Sequence, residues 1–151
     1  IDKAISIMAY LNKDGKDAMQ EIGANGCTDI TGFGLLGHAY EMAKASKVTL
    51  EIDYRKVPII EEAIELGKMG FVPGGTYANM EYVDNKTYWQ KGIPDIMKKI
   101  LCDPQTSGGL LITVAEGKAQ TLLNRLEKTL KTPCGQIGRV IKKDQTDLII
   151  K

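Results

Sequence analysis

The stretch CTDITGFGLLG, residues 27–37, joins a polar, glycine-bearing loop to an amphipathic helix that the sequence predicts over about 32–46. The apolar side chains after the loop recur at helical spacing, which indicates that one face of this helix packs on a core. Thr31 is in place to be the N-cap, and the glycines let the backbone approach a ligand closely. Free amide groups at the start of such a helix form a partial positive pole that suits phosphate.

Asp29 is the polar residue of this stretch that has no evident role in local structure. It lies too early to cap a helix that begins at Gly32 or Phe33. Magnesium bound beside phosphates takes one or two carboxylates, so Asp29 and the helix start together indicate a site for magnesium and phosphate. The residue types alone leave a second interpretation open, in which Asp29 caps a turn and Thr31 caps the helix.

Outward from this stretch, the chain mixes helices and strands. Residues 1–23 predict helical structure with a break near 12–15. The predicted elements after the central helix are a strand at 48–54, a short helix at 59–70, a long irregular region at 71–92, a helix at 94–102, a central strand at 110–115, a helix at 118–131 and two final strands joined by a turn at 142–145. This mixture, with a hairpin-like pair at its end, indicates an α+β fold with a layered sheet.

Two further segments place hydroxyl and amide groups beside flexible glycines. They are PGGTYAN, residues 73–79, and DPQTSGG, residues 103–109. Each is a candidate ligand-facing loop, and each is also compatible with an ordinary turn. Neither has the spacing of a P-loop, a dinucleotide fingerprint or a nucleophile elbow. The candidate ligand-facing residues are Thr76, Asn79, Asp103, Thr106 and Ser107.

Composition narrows the function classes. The chain has 151 residues, with 20 Lys and Arg against 19 Asp and Glu, so no basic field favours nucleic acid. No apolar stretch approaches the roughly 20 residues of a membrane span. Three widely spaced cysteines and one histidine, His38, fit a reduced, cytoplasmic protein better than a zinc site. His38 shares a polar helix face with Glu41 and Lys44, which predicts a solvated surface position.

Three phrases in one order carry a resemblance to a known family. CTDITGFGLLGHAYEMA, VPGGTYAN and LCDPQTSGGLLITV together resemble the C-terminal half of selenophosphate synthetases, over nearly the whole chain. The wider superfamily includes aminoimidazole ribonucleotide synthetase, thiamine-monophosphate kinase and a hydrogenase maturation protein. It resembles the chain more loosely and tends to have glycine at the position of Phe33. The resemblance implies a layered α/β domain with a mixed, mainly antiparallel sheet flanked by helices, like the C-terminal domain of aminoimidazole ribonucleotide synthetase.

The resemblance also implies a reaction. Such enzymes are phosphotransferases that use ATP, magnesium and selenide to make selenophosphate, with release of AMP and orthophosphate. Their N-terminal domain carries the reactive Cys or selenocysteine, most nucleotide contacts and the dimer interface. Residues 1–151, which begin in a helical pattern without Met, would then be the single C-terminal domain of a two-domain enzyme. This domain would have no catalytic nucleophile and no activity alone, and the full-length enzyme would be a homodimer.

The site residues carried over by the resemblance are few. Asp29 matches the one C-terminal aspartate that completes the magnesium–phosphate site. The turn and helix start that face the phosphates correspond to Thr31, Gly32, Phe33 and Gly34. The DPQTSGG segment is expected to support the phosphate side structurally. Two rival functions stay open: an ADP-forming kinase or cyclo-ligase of the same superfamily, and a stand-alone binding domain without catalysis.

Overall fold

Helices and strands alternate through residues 2–151, the part of the chain that the computed structural model describes. The helices are α1 (Asp2–Ala9), α2 (Lys13–Ile22), α3 (Gly34–Ser46), α4 (Glu61–Lys68), α5 (Gly74–Val83), α6 (Asp95–Leu101) and α7 (Ala119–Thr129). The strands are β1 (Gly26–Asp29), β2 (Val48–Ile52), β3 (Thr87–Trp89), β4 (Leu110–Thr113), β5 (Gly138–Lys142) and β6 (Leu148–Ile150). Single 3-10 turns lie at Tyr54–Lys56, Asp84–Lys86 and Glu116–Lys118.

The strands form two sheets. The larger sheet has four strands in the order β3-β6-β2-β5, and the smaller one pairs β1 with β4. The two antiparallel pairings, β2 with β5 and β1 with β4, align five and four residue pairs. The two parallel pairings, β2 with β6 and β3 with β6, align three residue pairs each. The α+β class with mixed, mainly antiparallel sheets flanked by helices is therefore confirmed.

Helix α3 links the two sheets. It contacts β2 and β6 of the larger sheet and also β1 of the smaller one. Its buried side chains, among them Leu36, Ala39 and Ala43, join Leu50 and Leu148 in one hydrophobic core. Burial of such side chains is the dominant favourable contribution to folding, so α3 is held firmly against the larger sheet. The start of α3 is thereby fixed beside the end of β1.

The predicted break in the N-terminal helical region is present, but it lies at 10–12 between α1 and α2 rather than at 12–15. The prediction of an irregular region at 71–92 is wrong. That region contains α5, a 3-10 turn and β3. Helix α5 buries Thr76 and Asn79 together with Val83. Because two of these three inward positions carry polar residues, the helix shows no continuous apolar stripe in the sequence.

Three strand predictions need correction. Residues 26–29 were expected to be loop but form β1, which shows no apolar alternation because its inward positions carry Gly26 and Thr28 rather than large apolar residues. The strand at 110–115 was expected to be central, but β4 has β1 as its neighbour in a two-stranded sheet. The two final strands do not pair as a hairpin. Both of them, β5 and β6, flank β2 instead, β5 antiparallel and β6 parallel.

Among residues 2–151, no helix combines the length and the apolar character that crossing a bilayer requires.

Candidate functional site

Asp29 is the last residue of β1, opposite Leu110 of β4. Its side chain is exposed, and its carboxylate forms no hydrogen bond or ion pair with any group in the described residues. Cys27, two residues earlier, is exposed on the same face of the strand. Partial burial raises the pKa of the Cys27 thiol, and the nearby charge of Asp29 raises it further. The Asp29 carboxylate is thus free to bind a cation.

The DPQTSGG segment packs directly on the residues that follow β1. The amide of Ile30 donates to the carbonyl of Gly109 at 2.9 Å, and the amide of Gly108 donates to the carbonyl of Ile30 at 3.1 Å. A side chain on Gly108 would lie 2.4 Å from that carbonyl oxygen, so glycine is required for this close approach. These bonds place the exposed residues Thr106 and Ser107 in the loop beside the end of β1.

The start of α3 differs from the sequence prediction. The helix begins at Gly34, and its N-cap position is held by Phe33 without a side-chain cap. Thr31 is therefore not the N-cap. Gly34 has φ 67°, and a Cβ there would lie 2.7 Å from the backbone carbon of Cys102. The amide of Gly34 donates to the carbonyl of Thr31 at 2.9 Å and is therefore not available to an anion. No side chain of residues 2–151 caps the start of α3, so its other first-turn amides suit an anion, as the phosphate prediction for this turn requires.

His38 is not the solvated surface residue that its helix face predicted. Its side chain is only 11% exposed, because the turn before α3 folds back over this part of the helix. The Nε2 atom lies 2.9 Å from the hydroxyl of Thr31, and the Nδ1 atom lies 3.1 Å from a carboxylate oxygen of Glu41. The ring of Phe33 meets the imidazole edge-on at 5.7 Å between centroids. Thr31, His38 and Glu41 form one hydrogen-bonded chain.

Thr76 and Asn79 lie in α5, so the loop predicted for PGGTYAN is wrong. Both side chains are buried beneath the turn before α3. The amide nitrogen of Asn79 donates to the carbonyls of Gly32 and Cys102, at 2.9 Å each. The Thr76 hydroxyl donates to the Asp103 carboxylate at 3.4 Å. Burial raises the pKa of Asp103, whereas the Thr76 hydrogen bond acts in the opposite direction. In this chain these groups bind one another and fix the turn.

An aromatic cluster beside the turn escaped the sequence analysis. Phe33 is exposed and stacks on Tyr82 at 5.5 Å between ring centroids. Tyr82 meets Tyr40 edge-on at 5.4 Å, and the Lys86 ammonium lies 5.1 Å from the centre of the Tyr82 ring. Such contacts contribute about 0.5–1.5 kcal/mol each beyond burial. No sequence pattern indicated Tyr82, because the region that forms α5 was expected to be irregular.

The side chains around the turn can supply one ligand to a metal ion whose other ligands come from outside this part of the protein. Residues 2–151 contain no group of three or more His, Cys, Asp and Glu side chains arranged to hold a metal ion. Magnesium keeps several waters and takes one or two protein carboxylates when it bridges phosphates. The exposed carboxylate of Asp29 satisfies that requirement for one ligand, and the uncapped amides of α3 suit the phosphate oxygens. Substrate, water and further carboxylates would have to complete the coordination.

Comparison with known proteins shows the family of the chain. The family described as AIR synthase related protein, C-terminal domain, matches residues 8–151. A protein named selenide, water dikinase from Caldanaerobacter subterraneus subsp. tengcongensis is 49% identical over 148 residues, which are 98% of this chain and 43% of that protein. Proteins of the same name from Treponema denticola and Clostridioides difficile are 44% and 46% identical, over 96% and 95% of this chain and 42% and 41% of their own lengths.

The chain therefore spans less than half the length of these relatives. The family match covers both sheets, all of α3 and the DPQTSGG loop, which are the elements that build the site. The chain belongs to the AIR synthase related protein, C-terminal domain, family.

Proposed function

We propose that this chain is the C-terminal domain of a selenophosphate synthetase, an enzyme that makes selenophosphate from selenide and ATP and releases AMP and orthophosphate. The names of relatives that match almost the whole chain at 49% and 46% identity support this proposal. The family match supports it as well. The domain would act within a longer, cytoplasmic enzyme. The N-terminal domain would bring the nucleophile, most nucleotide contacts and the interface of a homodimer.

The observation that carries the proposal is the uncommitted carboxylate of Asp29 at the end of β1. A surface aspartate needs no partner, but this one stands where β1 leads into an uncapped helix start. The turn between them is fixed by Asn79 from below and by the DPQTSGG loop from the side. A rigid backbone around an unpaired carboxylate is what a preorganised ligand site requires, since little entropy remains to be lost on binding.

Asp29 would hold magnesium against the polyphosphate of ATP. When bound, magnesium would neutralise the negative charge that accumulates on the transferring phosphoryl group. The uncapped amides at the start of α3, apart from that of Gly34, would bind phosphate oxygens, and Gly32 would let the backbone approach them without a side chain in the way. The chain would thus orient one side of the polyphosphate, while the N-terminal domain holds the other.

The test uses the whole two-domain protein with magnesium and ATP, with and without selenide, and separates AMP from ADP. We expect AMP that depends on selenide, and no turnover by residues 1–151 alone. ADP as the product, or AMP formation that ignores selenide, would refute the proposal and assign the domain to another reaction of the superfamily. Selenide-dependent turnover by the 151-residue chain alone would refute the division of labour between the domains.

A further inference from the structure

The hydrogen-bonded chain from Glu41 through His38 to Thr31 is not needed by the function proposed above. Its two links measure 3.1 Å, between Glu41 and Nδ1, and 2.9 Å, between Nε2 and the Thr31 hydroxyl. Glu41 and His38 lie three residues apart on α3, so the helix itself aligns them. Thr31 lies in the turn two residues after Asp29. The hydrogen-bonded chain therefore runs from the surface of α3 to a residue close in sequence to Asp29, the candidate magnesium ligand.

The positions of the hydrogen atoms follow from the donors and acceptors available. An ionised carboxylate can only accept, so the hydrogen between Glu41 and the imidazole belongs to Nδ1. In a neutral imidazole the other nitrogen, Nε2, then has a lone pair and can only accept. With the imidazole neutral, the hydrogen in the second link comes from the Thr31 hydroxyl. The hydroxyl then has no further hydrogen to donate, and its oxygen can only accept.

Packing holds this arrangement in place. The His38 side chain is largely buried, and the edge contact with Phe33 restricts rotation of the ring. Ile30, which lies between Asp29 and Thr31 in the sequence, has a buried side chain. Its backbone bonds to Gly108 and Gly109 continue the pairing of β1 with β4. In an extended segment successive side chains point to opposite sides, so Asp29 and Thr31 share the side away from Ile30. The Thr31 oxygen and the Asp29 carboxylate therefore face the same region.

We propose that His38 is a positioning residue that makes Thr31 an acceptor, so that the Thr31 oxygen contacts the metal ion or a metal-bound water beside Asp29. A hydroxyl that binds a phosphate oxygen must donate a hydrogen, and Thr31 has none left to donate. This changes the expected role of Thr31 from phosphate binding to the cation side of the site. The identity of the cation rests on the proposed function, whereas the tautomer of His38 does not.

The tautomer is directly measurable, because His38 is the only histidine of the chain. Two-bond nitrogen–proton correlation spectra of the 151-residue protein resolve both imidazole nitrogens without assignment ambiguity. We expect a protonated Nδ1 and an unprotonated Nε2. Glu41→Gln should mix the two tautomers, and Glu62→Gln on the exposed surface of α4 should leave the spectrum unchanged. An Nε2-protonated ring in the unmodified protein would overturn the proposal.

The second step tests the metal in the two-domain protein, with manganese as the probe and a non-hydrolysable ATP analogue present. Thr31→Val removes the oxygen at nearly constant volume, and Thr31→Ser keeps it. We expect about tenfold weaker manganese binding in the valine variant and near-normal binding in the serine variant. Equal manganese affinity in both variants would overturn the role of Thr31. A failure of the proposed function would instead appear as missing selenide-dependent AMP, with the imidazole spectrum unaffected.

Discussion

The two sheets of this domain differ in what surrounds them. The inner strands of the four-stranded sheet bury most of their residues, including Leu50, Leu148 and Ile150, beneath α3. No residue of β1 or β4 in the two-stranded sheet is fully buried, and β1 presents Cys27 and Asp29 to solvent. The larger sheet thus carries the apolar burial that stabilises the fold, and the smaller one carries the groups that can bind a ligand.

The two regions meet where the turn before α3 packs against the end of α6. We call this contact, formed by Gly32, Gly34, Asn79 and Cys102, the seam. At Gly34, α3 passes so close to the end of α6 that a side chain cannot be accommodated. Beneath the same turn, Asn79 ties the carbonyl of Gly32 to that of Cys102. The seam therefore holds the exposed turn in a fixed position against the core. Substitutions should therefore fall into three groups, those that alter stability, those that alter binding, and those at the seam that alter both.

The largest effect should come from the core of the larger sheet. Leu148 is fully buried on an inner strand, so Leu148→Ala should lower the free energy of unfolding by about 2–5 kcal/mol. The matched control is Leu11→Ala, where the side chain is 76% exposed and the change should stay within about 0.5 kcal/mol. Urea unfolding monitored by circular dichroism measures both. Equal losses in the two variants would contradict the assignment of stability to the larger sheet.

Gly34→Ala tests the seam through its backbone. Alanine is strained at a φ of 67°, and its Cβ would lie 2.7 Å from the backbone of Cys102. The strain and the clash together should cost roughly 2–4 kcal/mol of unfolding free energy. Gly32→Ala is the control, since a Cβ at Gly32 meets nothing within 4 Å and its φ is not in the left-handed region. If both variants unfold at the same denaturant concentration, the seam is not rigid at this point.

Asn79→Ala tests the seam through its hydrogen bonds. Removing the amide leaves two carbonyls, those of Gly32 and Cys102, without this donor. The expected loss is roughly 1–3 kcal/mol, the cost of leaving buried polar groups unpaired. Asn85→Ala, at an exposed position of the 3-10 turn after α5, should change stability by less than about 0.5 kcal/mol. A thermal melt in which Asn79→Ala matches Asn85→Ala would remove Asn79 from the seam.

The smallest effect is that of the Asp29 charge on the reactivity of the Cys27 thiol. Burial raises the pKa of the Cys102 thiol to about 12, so Cys102 should resist alkylation until the protein unfolds. Cys27 is exposed, and its pKa is raised first by partial burial and then by Asp29. Its alkylation should therefore accelerate as the pH rises beyond the usual thiol range. Asp29→Asn should lower that pKa and speed the labelling of Cys27 at a fixed, mildly alkaline pH.

Mass spectrometry of the alkylated protein separates the three thiols. Cys134 is the internal control, because its pKa is raised by burial and by Glu127 and does not involve Asp29. Faster labelling of Cys27 and Cys134 alike in Asp29→Asn would indicate general loosening of the fold. An unchanged Cys27 rate would mean that the Asp29 carboxylate does not face the thiol.

The sequence predicted β2 and α3 better than β1 for a physical reason. Strand β2 alternates in polarity, and α3 shows a helical apolar period, so local pattern was sufficient there. Strand β1 has no such pattern and forms because residues 26–29 pair with β4, more than 80 positions away. Backbone pairing by itself leaves no periodic signal in the side chains of a strand. The same holds for α5, whose inward positions at Thr76 and Asn79 are polar because they bind distant groups.

The candidate site was predictable in part. Asp29 stood out because no local structure used its carboxylate, and that carboxylate has no hydrogen bond or ion pair within residues 2–151. The prediction that His38 lies on the solvated surface was wrong, because the pattern of the helix face could not reveal that the turn before α3 covers this side chain. That fold-back depends on the left-handed backbone of Gly34 and on Asn79, and both require the tertiary contacts with α6.

The role of Asp29 is tested most directly by Asp29→Asn in the two-domain protein, compared with Asp84→Asn at an exposed position outside the site. Selenide-dependent AMP formation and the free energy of unfolding are measured on the same preparations. We expect Asp29→Asn to lower AMP formation by roughly 100-fold or more while unfolding changes by less than about 0.5 kcal/mol. Asp84→Asn should change neither. Near-normal AMP formation by Asp29→Asn would contradict the claim that this carboxylate completes the magnesium–phosphate site.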